Sequence, residues 1–136
     1  MKRHIALLTV LVLCLSLCAC DTPQTVDEAR QKADKQVSKL DDDKANACSY
    51  SSSFYEGKDG RQIYYITLHE LTYLDMTENA RTMMPKSHAE FAYSKISDCF
   101  ADFPEVDICV IVFDGNGEAD ENILIVTLNG REVEKE

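Results

Sequence analysis

The chain has 136 residues, with 14 basic and 24 acidic side chains and a formal net charge of −10 when histidine is neutral. That length suits one compact domain with a core of its own and is too short for two. The acidic balance argues against nucleic acid and anionic headgroups as partners, because both call for a basic surface.

The first residues have the three parts of an export signal. Lys2 and Arg3 give a positive start, residues 5–17 are a nearly unbroken apolar run, and Ala19 supplies a small-residue junction. The run falls short of the about 20 apolar residues that span a bilayer as a helix. At the junction, Leu17-Cys18-Ala19-Cys20 resembles the lipobox of bacterial lipoproteins: an aliphatic residue, a loosely constrained position, a small residue and the cysteine that takes lipid. Cys18 stands where Ser, Thr or Ala is commoner. The resemblance implies that residues 1–19 are a signal peptide and that the Cys20 thiol carries a fatty-acylated diacylglyceryl group. It also implies an exported protein of the bacterial cell envelope, held at a membrane through Cys20. The competing readings are an ordinary secretory signal cut after Ala19, or a metal cluster. Cys14 and Cys18 have no His or acidic ligand beside them, which argues against the cluster.

Loss of Lys2 and Arg3 with the signal leaves 12 basic against 24 acidic side chains, a formal −12. Three cysteines then remain besides the lipidated one: Cys48, Cys99 and Cys109. Export permits disulfides, but an odd count leaves one thiol over. A Cys48–Cys99 bridge would close a loop of about 50 residues and stabilise by about 4 kcal/mol in the chain-entropy model. A Cys99–Cys109 bridge would stabilise less. The alternative is three buried thiols acting as small apolar residues. No CxxC pair is present, which argues against a thiol oxidoreductase.

In chain order, residues 20–24 form a lipidated cysteine and a short tether containing Pro23, and residues 25–136 form a single domain. Thr25 and Glu28 make a capping box. Behind it Val26, Ala29, Ala33, Val37 and Leu40 recur at spacings of three and four, which predicts a helix to about residues 43–47 with one narrow buried stripe. The run Asp41-Asp42-Asp43 opposes the dipole at that helix's C-terminus and predicts fraying. Residues 48–55 and 62–68 read as a hairpin turning at Asp59-Gly60. Residues 71–86 predict at most a brief helical turn opened by Asp75 and Glu78 and broken by Pro85. Ser87 and Glu90 then cap a second main helix over residues 88–102, ended by Pro104. Residues 106–113 and 122–128 predict a second hairpin, followed by Asn129-Gly130 and a charged tail.

The order αββαββ predicts an α+β two-layer sandwich: a four-stranded antiparallel sheet with both main helices on one face. Neither face of that sheet is polar enough to lie open to water, so something should cover the second one. Residues 71–86 are the economical cover; a second copy of the chain or a ligand are the others.

Few residues suggest catalysis. His69-Glu70 begins like HExxH, but Tyr73 occupies the place of the second histidine. His69 and His88 are far apart along the chain, so no metal ligand or cofactor is assigned. Asp114-Gly115-Asn116-Gly117-Glu118 starts like a calcium loop, yet Ala119 and Ile125 stand where Gly and Glu are required. No serine lies in a GxSxG elbow. Tyr50, Tyr55, Tyr64 and Tyr65 cluster on the first hairpin and form a candidate partner surface, although Tyr is also a good strand residue. The expectation is a non-catalytic protein-binding or interaction module at a membrane, with a protein partner or a homodimer. A helix followed by a hairpin is similar, in element order, to the small PepSY-type domains of exported proteins. That likeness implies an inhibitor or regulator of an envelope enzyme, and a small-ligand carrier is the remaining alternative.

Overall fold

The computed structural model describes residues 22–43 and 47–134; Cys20 and its tether to residue 21 lie outside them. Thr25 opens helix α1 (Val26–Asp42), its hydroxyl accepting from the Glu28 backbone N–H at 3.2 Å. The Glu28 carboxylate accepts in turn from the Gln24 N–H at 2.7 Å, one residue earlier than the usual reciprocal bond of a capping box. Ala29, Ala33, Val37 and Leu40 are its buried residues, the stripe their spacing predicts. Small alanines at two of these four places let the helix sit close to the sheet.

Strands β1 (Cys48–Glu56) and β2 (Gln62–Glu70) form an antiparallel hairpin in register from Cys48 opposite Glu70 to Glu56 opposite Gln62. α1 is bonded to β1 through two aspartates seven residues apart. Asp41 accepts from the Tyr50 N–H at 2.8 Å and the Ser49 hydroxyl at 3.2 Å. Asp34 accepts from the Ser52 hydroxyl at 2.9 Å and from Tyr64 Oη at 2.7 Å. Asp41 thus satisfies an amide on the edge strand, a place where an unpaired N–H invites pairing with another chain.

Helix α2 (Glu78–Ile96) is longer than predicted and starts earlier. Thr77 caps it, its hydroxyl accepting from Ala80 N–H at 3.4 Å, and Pro85 lies inside it. The expected break at Pro85 and restart at Ser87 do not occur. Proline forfeits one backbone bond there, but Pro85 itself is buried, as are Ala89, Ala92 and Ile96 further along the same helix. A 3-10 turn over Ser97–Phe100 continues the helix and buries Cys99 and Phe100.

Strands β3 (Val106–Phe113) and β4 (Ile123–Leu128) follow, and β5 (Arg131–Glu132) ends the sheet, whose order is β1-β2-β3-β4-β5. The fold is α+β, but the sheet is five-stranded and mixed, where four antiparallel strands were predicted: β2 and β3 run parallel. The reason is the connection, because a chain that crosses over through a long helix returns in the same direction. β5 forms because Asn129 (φ 49°) and Gly130 (φ 76°) both take the left-handed conformation that a two-residue hairpin turn requires. Asn129 also exchanges backbone and side-chain bonds with Ile108, each 2.8 Å.

Both helices pack on one face of the sheet, over Tyr64, Ile66, Leu68, Ile108, Val110, Val112 and Ile125. The other face carries in-register rows: Tyr65–Cys109–Leu128, Thr67–Ile111–Val126 and His69–Phe113–Ile123. Residues 71–86 do not cover it. Their helical part is the first half of α2, and Tyr73 lines a cleft with Pro85 and the inward-facing Ile125, on the helix side. Among the described residues no helix lies on the outer face. Cys109 and Phe113 are buried there by their neighbours, while Leu128 is 39 % exposed.

Candidate functional site

The inner face of the first hairpin ends in polar chemistry. Cys48 begins β1, Glu70 ends β2, and they are cross-strand partners whose side chains both point toward the helices. Alternation puts Glu70 on the same face as Tyr64, Ile66 and Leu68, so the carboxylate is carried into the core, 0 % exposed. His88, in the middle of α2, reaches the same spot from above. Its Nδ1 lies 2.5 Å from Glu70 Oε1 and 3.5 Å from Cys48 Sγ, and Cys48 Sγ lies 3.4 Å from Glu70 Oε2. A carboxylate only accepts, which assigns the imidazole proton to Nδ1 and makes the thiol the second donor to Glu70.

Tyr50, two residues along β1, completes the group. It is 5 % exposed, and its hydroxyl makes no hydrogen bond among the described residues. Burial, then the neighbouring Cys48, Glu70 and Asp43, push its phenol well above the ordinary range. Burial is also the first cause at Cys48, followed by the Glu70 charge, and the thiol is pushed up to about 12. The Glu70 backbone is held from behind by the loop after β3: a Cβ at Gly115 (φ +90°) would stand 2.8 Å from the Glu70 carbonyl oxygen, so only glycine fits.

This arrangement is poorly suited to nucleophilic catalysis. In a Cys–His–carboxylate relay the thiol and the carboxylate take opposite nitrogens of the ring, so that a proton passes through it. Here both meet the same Nδ1. A thiol held protonated is also the reverse of an activated nucleophile. Three donors converging on one point are instead suited to holding something between them.

His69 faces the opposite side of the sheet, stacked on Phe113 at 5.2 Å and paired with Glu118 at 3.2 Å. The HE dipeptide is therefore split by strand alternation, with one residue on each face. The tyrosine surface is split in the same way. Tyr50 and Tyr64 are turned into the core and cannot form a partner surface, whereas Tyr55, 52 % exposed, and the half-buried Tyr65 stay on the outer side.

The three cysteines are free, buried thiols in different places: Cys48 in this cluster, Cys99 beneath the helices, Cys109 on the outer face. No Cys48–Cys99 or Cys99–Cys109 bridge is present, and burial as small apolar groups describes Cys99 and Cys109. The calcium-like segment closes on itself: Asp114 accepts from Asn116 N–H at 2.9 Å and from its amide at 3.1 Å, a polar turn. Sequence reasoning passed over Glu70 and His88 because they lie 18 residues apart, though an acidic residue on the apolar parity of β2 was a visible anomaly. Compared with known proteins, the chain matches no family model, no curated protein and no solved structure.

Proposed function

We propose that this chain is an exported lipoprotein of a bacterial envelope, anchored through Cys20, that works as a non-catalytic binding module and engages a protein through the outer face of its sheet. The supporting observation is that face itself: Tyr65, Ile111, Val126 and Leu128 form a contiguous apolar patch, while both helices occupy the other side. A half-exposed apolar patch on a sheet face that carries neither main helix is suited to an interaction surface. The formal −12 of the chain after Cys20 disfavours docking of a second copy and favours a partner whose rim is basic. A tether of a few residues keeps the domain close to the bilayer, since each residue spans at most about 3.5 Å.

The lipobox resemblance and the PepSY-like element order make inhibition or regulation of an envelope enzyme the narrower form of this reading. A small-ligand carrier would need a closed apolar cavity. The cleft of about 330 Å³ over Pro85, Leu124 and Ile125 instead has Arg81, Lys86 and Glu132 on its rim.

The test is site-specific photocrosslinking from position 126 in the native cell. The expected product is an adduct with another protein, lost when Leu128→Asp is added and weakened by salt. An adduct of twice the chain's mass would assign the face to a homodimer. No adduct at all would remove the protein-binding reading.

A further inference from the structure

We propose that Cys48 Sγ, the Glu70 carboxylate and His88 Nδ1 are three ligands of a divalent zinc-type metal ion, with the fourth position turned toward the Tyr50 hydroxyl.

The donor set comes first. Thiolate, imidazole and carboxylate are the three protein ligands of zinc, and all three donor atoms here lie within 4.8 Å of one another. The distances can be compared with those a bound ion would impose. With Zn–S of about 2.3 Å and Zn–N or Zn–O of about 2.0 Å, the edges of a tetrahedron are about 3.5 Å from sulfur and about 3.3 Å between nitrogen and oxygen. The structure has 3.5 Å for Sγ to Nδ1 and 3.4 Å for Sγ to Oε2. Nδ1 meets the other carboxylate oxygen, Oε1, at 2.5 Å, so an ion held through one oxygen requires the carboxylate to turn and this contact to open.

Burial is the second observation. Glu70 is wholly enclosed, and its partners in the metal-free arrangement are a thiol and an imidazole. Enclosing a carboxylate is expensive unless charge and hydrogen bonds meet it, and a divalent ion supplies more charge than a thiol and an imidazole can. Tyr50, buried two residues along β1 from Cys48, lies close enough to Cys48 and Glu70 to be influenced by both, and its hydroxyl meets no hydrogen-bond partner of good geometry among the described residues. It can bond a water on the ion or approach the ion itself. The third observation is rigidity. Cys48 and Glu70 are held by one strand ladder and His88 by a long helix, so the ligands are positioned before any ion arrives. His88, with its side chain 18 % exposed, is the way in.

With His88 neutral, entry of the ion releases one proton. The thiol proton leaves to solvent, the imidazole proton moves from Nδ1 to Nε2, and Glu70 exchanges two hydrogen bonds for a metal–oxygen bond. Carboxylate in place of a second histidine separates the set from a His₂Cys copper centre and favours zinc. The site lies on the helix side of the sheet, so it stands or falls separately from the docking face.

The experiment uses the full lipoprotein purified in detergent, stripped with a chelator and titrated with Co²⁺ and then Zn²⁺ alone. One Co²⁺ per chain is expected, with a thiolate-to-cobalt band in the near ultraviolet and the visible bands of a tetrahedral ion, both bleached by one equivalent of Zn²⁺. Cys48→Ser should remove the thiolate band. His88→Gln, at the one ligand of the three that is partly exposed, should weaken binding about tenfold or more with an unchanged circular dichroism spectrum. Absence of the thiolate band in the wild-type protein at saturating Co²⁺ would overturn the proposal. So would equal affinity in the folded His88→Gln protein, which would place the ion on surface carboxylates.

Discussion

Cys48 and Glu70 face each other across the β1–β2 ladder, and the thiol of one donates to the carboxylate of the other across 3.4 Å inside the core. A polar pair in such a place is tolerated only if every member has a partner. His88 supplies the remaining one, and the three together make the inner end of the hairpin the chemically distinctive part of the molecule.

The hydrogen bonds of Glu70 give a prediction for metal-free protein. Glu70→Gln keeps the shape and an accepting oxygen and should change stability by about 1 kcal/mol or less. Glu70→Ala leaves a cavity and two orphaned groups and should cost about 2–4 kcal/mol. Urea denaturation of both variants, with chelator present, measures the difference. Equal losses would mean that the carboxylate itself, and not the volume it fills, matters at this position.

Alkaline pH should weaken the metal-free protein through Cys48. Its thiol is pushed up to about 12 by burial and by Glu70. The folded chain therefore keeps a proton that the unfolded chain releases at its ordinary, lower value. That contribution is complete below the ordinary thiol range and is lost as pH rises toward about 12. Stability measured across alkaline pH should fall less steeply in Cys48→Ala than in the wild type, and parallel curves would show that the thiol is not responsible.

Asp34 and Tyr64 make unequal contributions. Tyr64→Phe removes one 2.7 Å bond but leaves Asp34 its bond from Ser52, so a loss of about 1 kcal/mol is expected. Asp34→Ala strands the hydroxyl of a tyrosine that is 0 % exposed and should cost about 2–3 kcal/mol. Thermal or urea melts rank the two, and the reverse order would show that Asp34 is unfavourable where it stands.

Gly115→Ala should act on the site from a distance. The added methyl would stand 2.8 Å from the Glu70 carbonyl at a residue whose φ is +90°. A loss of about 1–3 kcal/mol is expected, with metal affinity reduced as Glu70 shifts. Unchanged stability would mean that the loop moves away without resistance.

Anchoring has its own check. Cys20→Ala should abolish incorporation of labelled fatty acid and leave the domain folded, because Cys20 precedes the first helix by several residues. Continued labelling would remove the lipoprotein reading.

Local patterns carried most of the secondary structure. The stripe Ala29, Ala33, Val37, Leu40 is visible as spacing because a helix repeats every 3.6 residues, and the β3 run over residues 106–113 is visible because β-branched side chains concentrate in strands. Pro85 misled, since proline's local penalty is readable and the packing that offsets it is not. The parallel pairing of β2 with β3 was equally out of reach, because strand direction depends on where a connecting helix lies and not on the strands themselves.

The sequence by itself therefore carried the lipobox-like pattern that motivates the anchoring proposal, and it determined the acidity, the Thr25 cap and the strand alternation, all properties of neighbours along the chain. Only the tertiary structure decided that Cys48, Glu70 and His88 meet, that Tyr50 and Tyr64 are turned inward, and that α1 and α2 share one face of the sheet. A cross-strand register and a crossover helix bring together residues 22, 18 and 40 positions apart. Contacts at such separations are set by how whole elements pack, which no short stretch of sequence encodes.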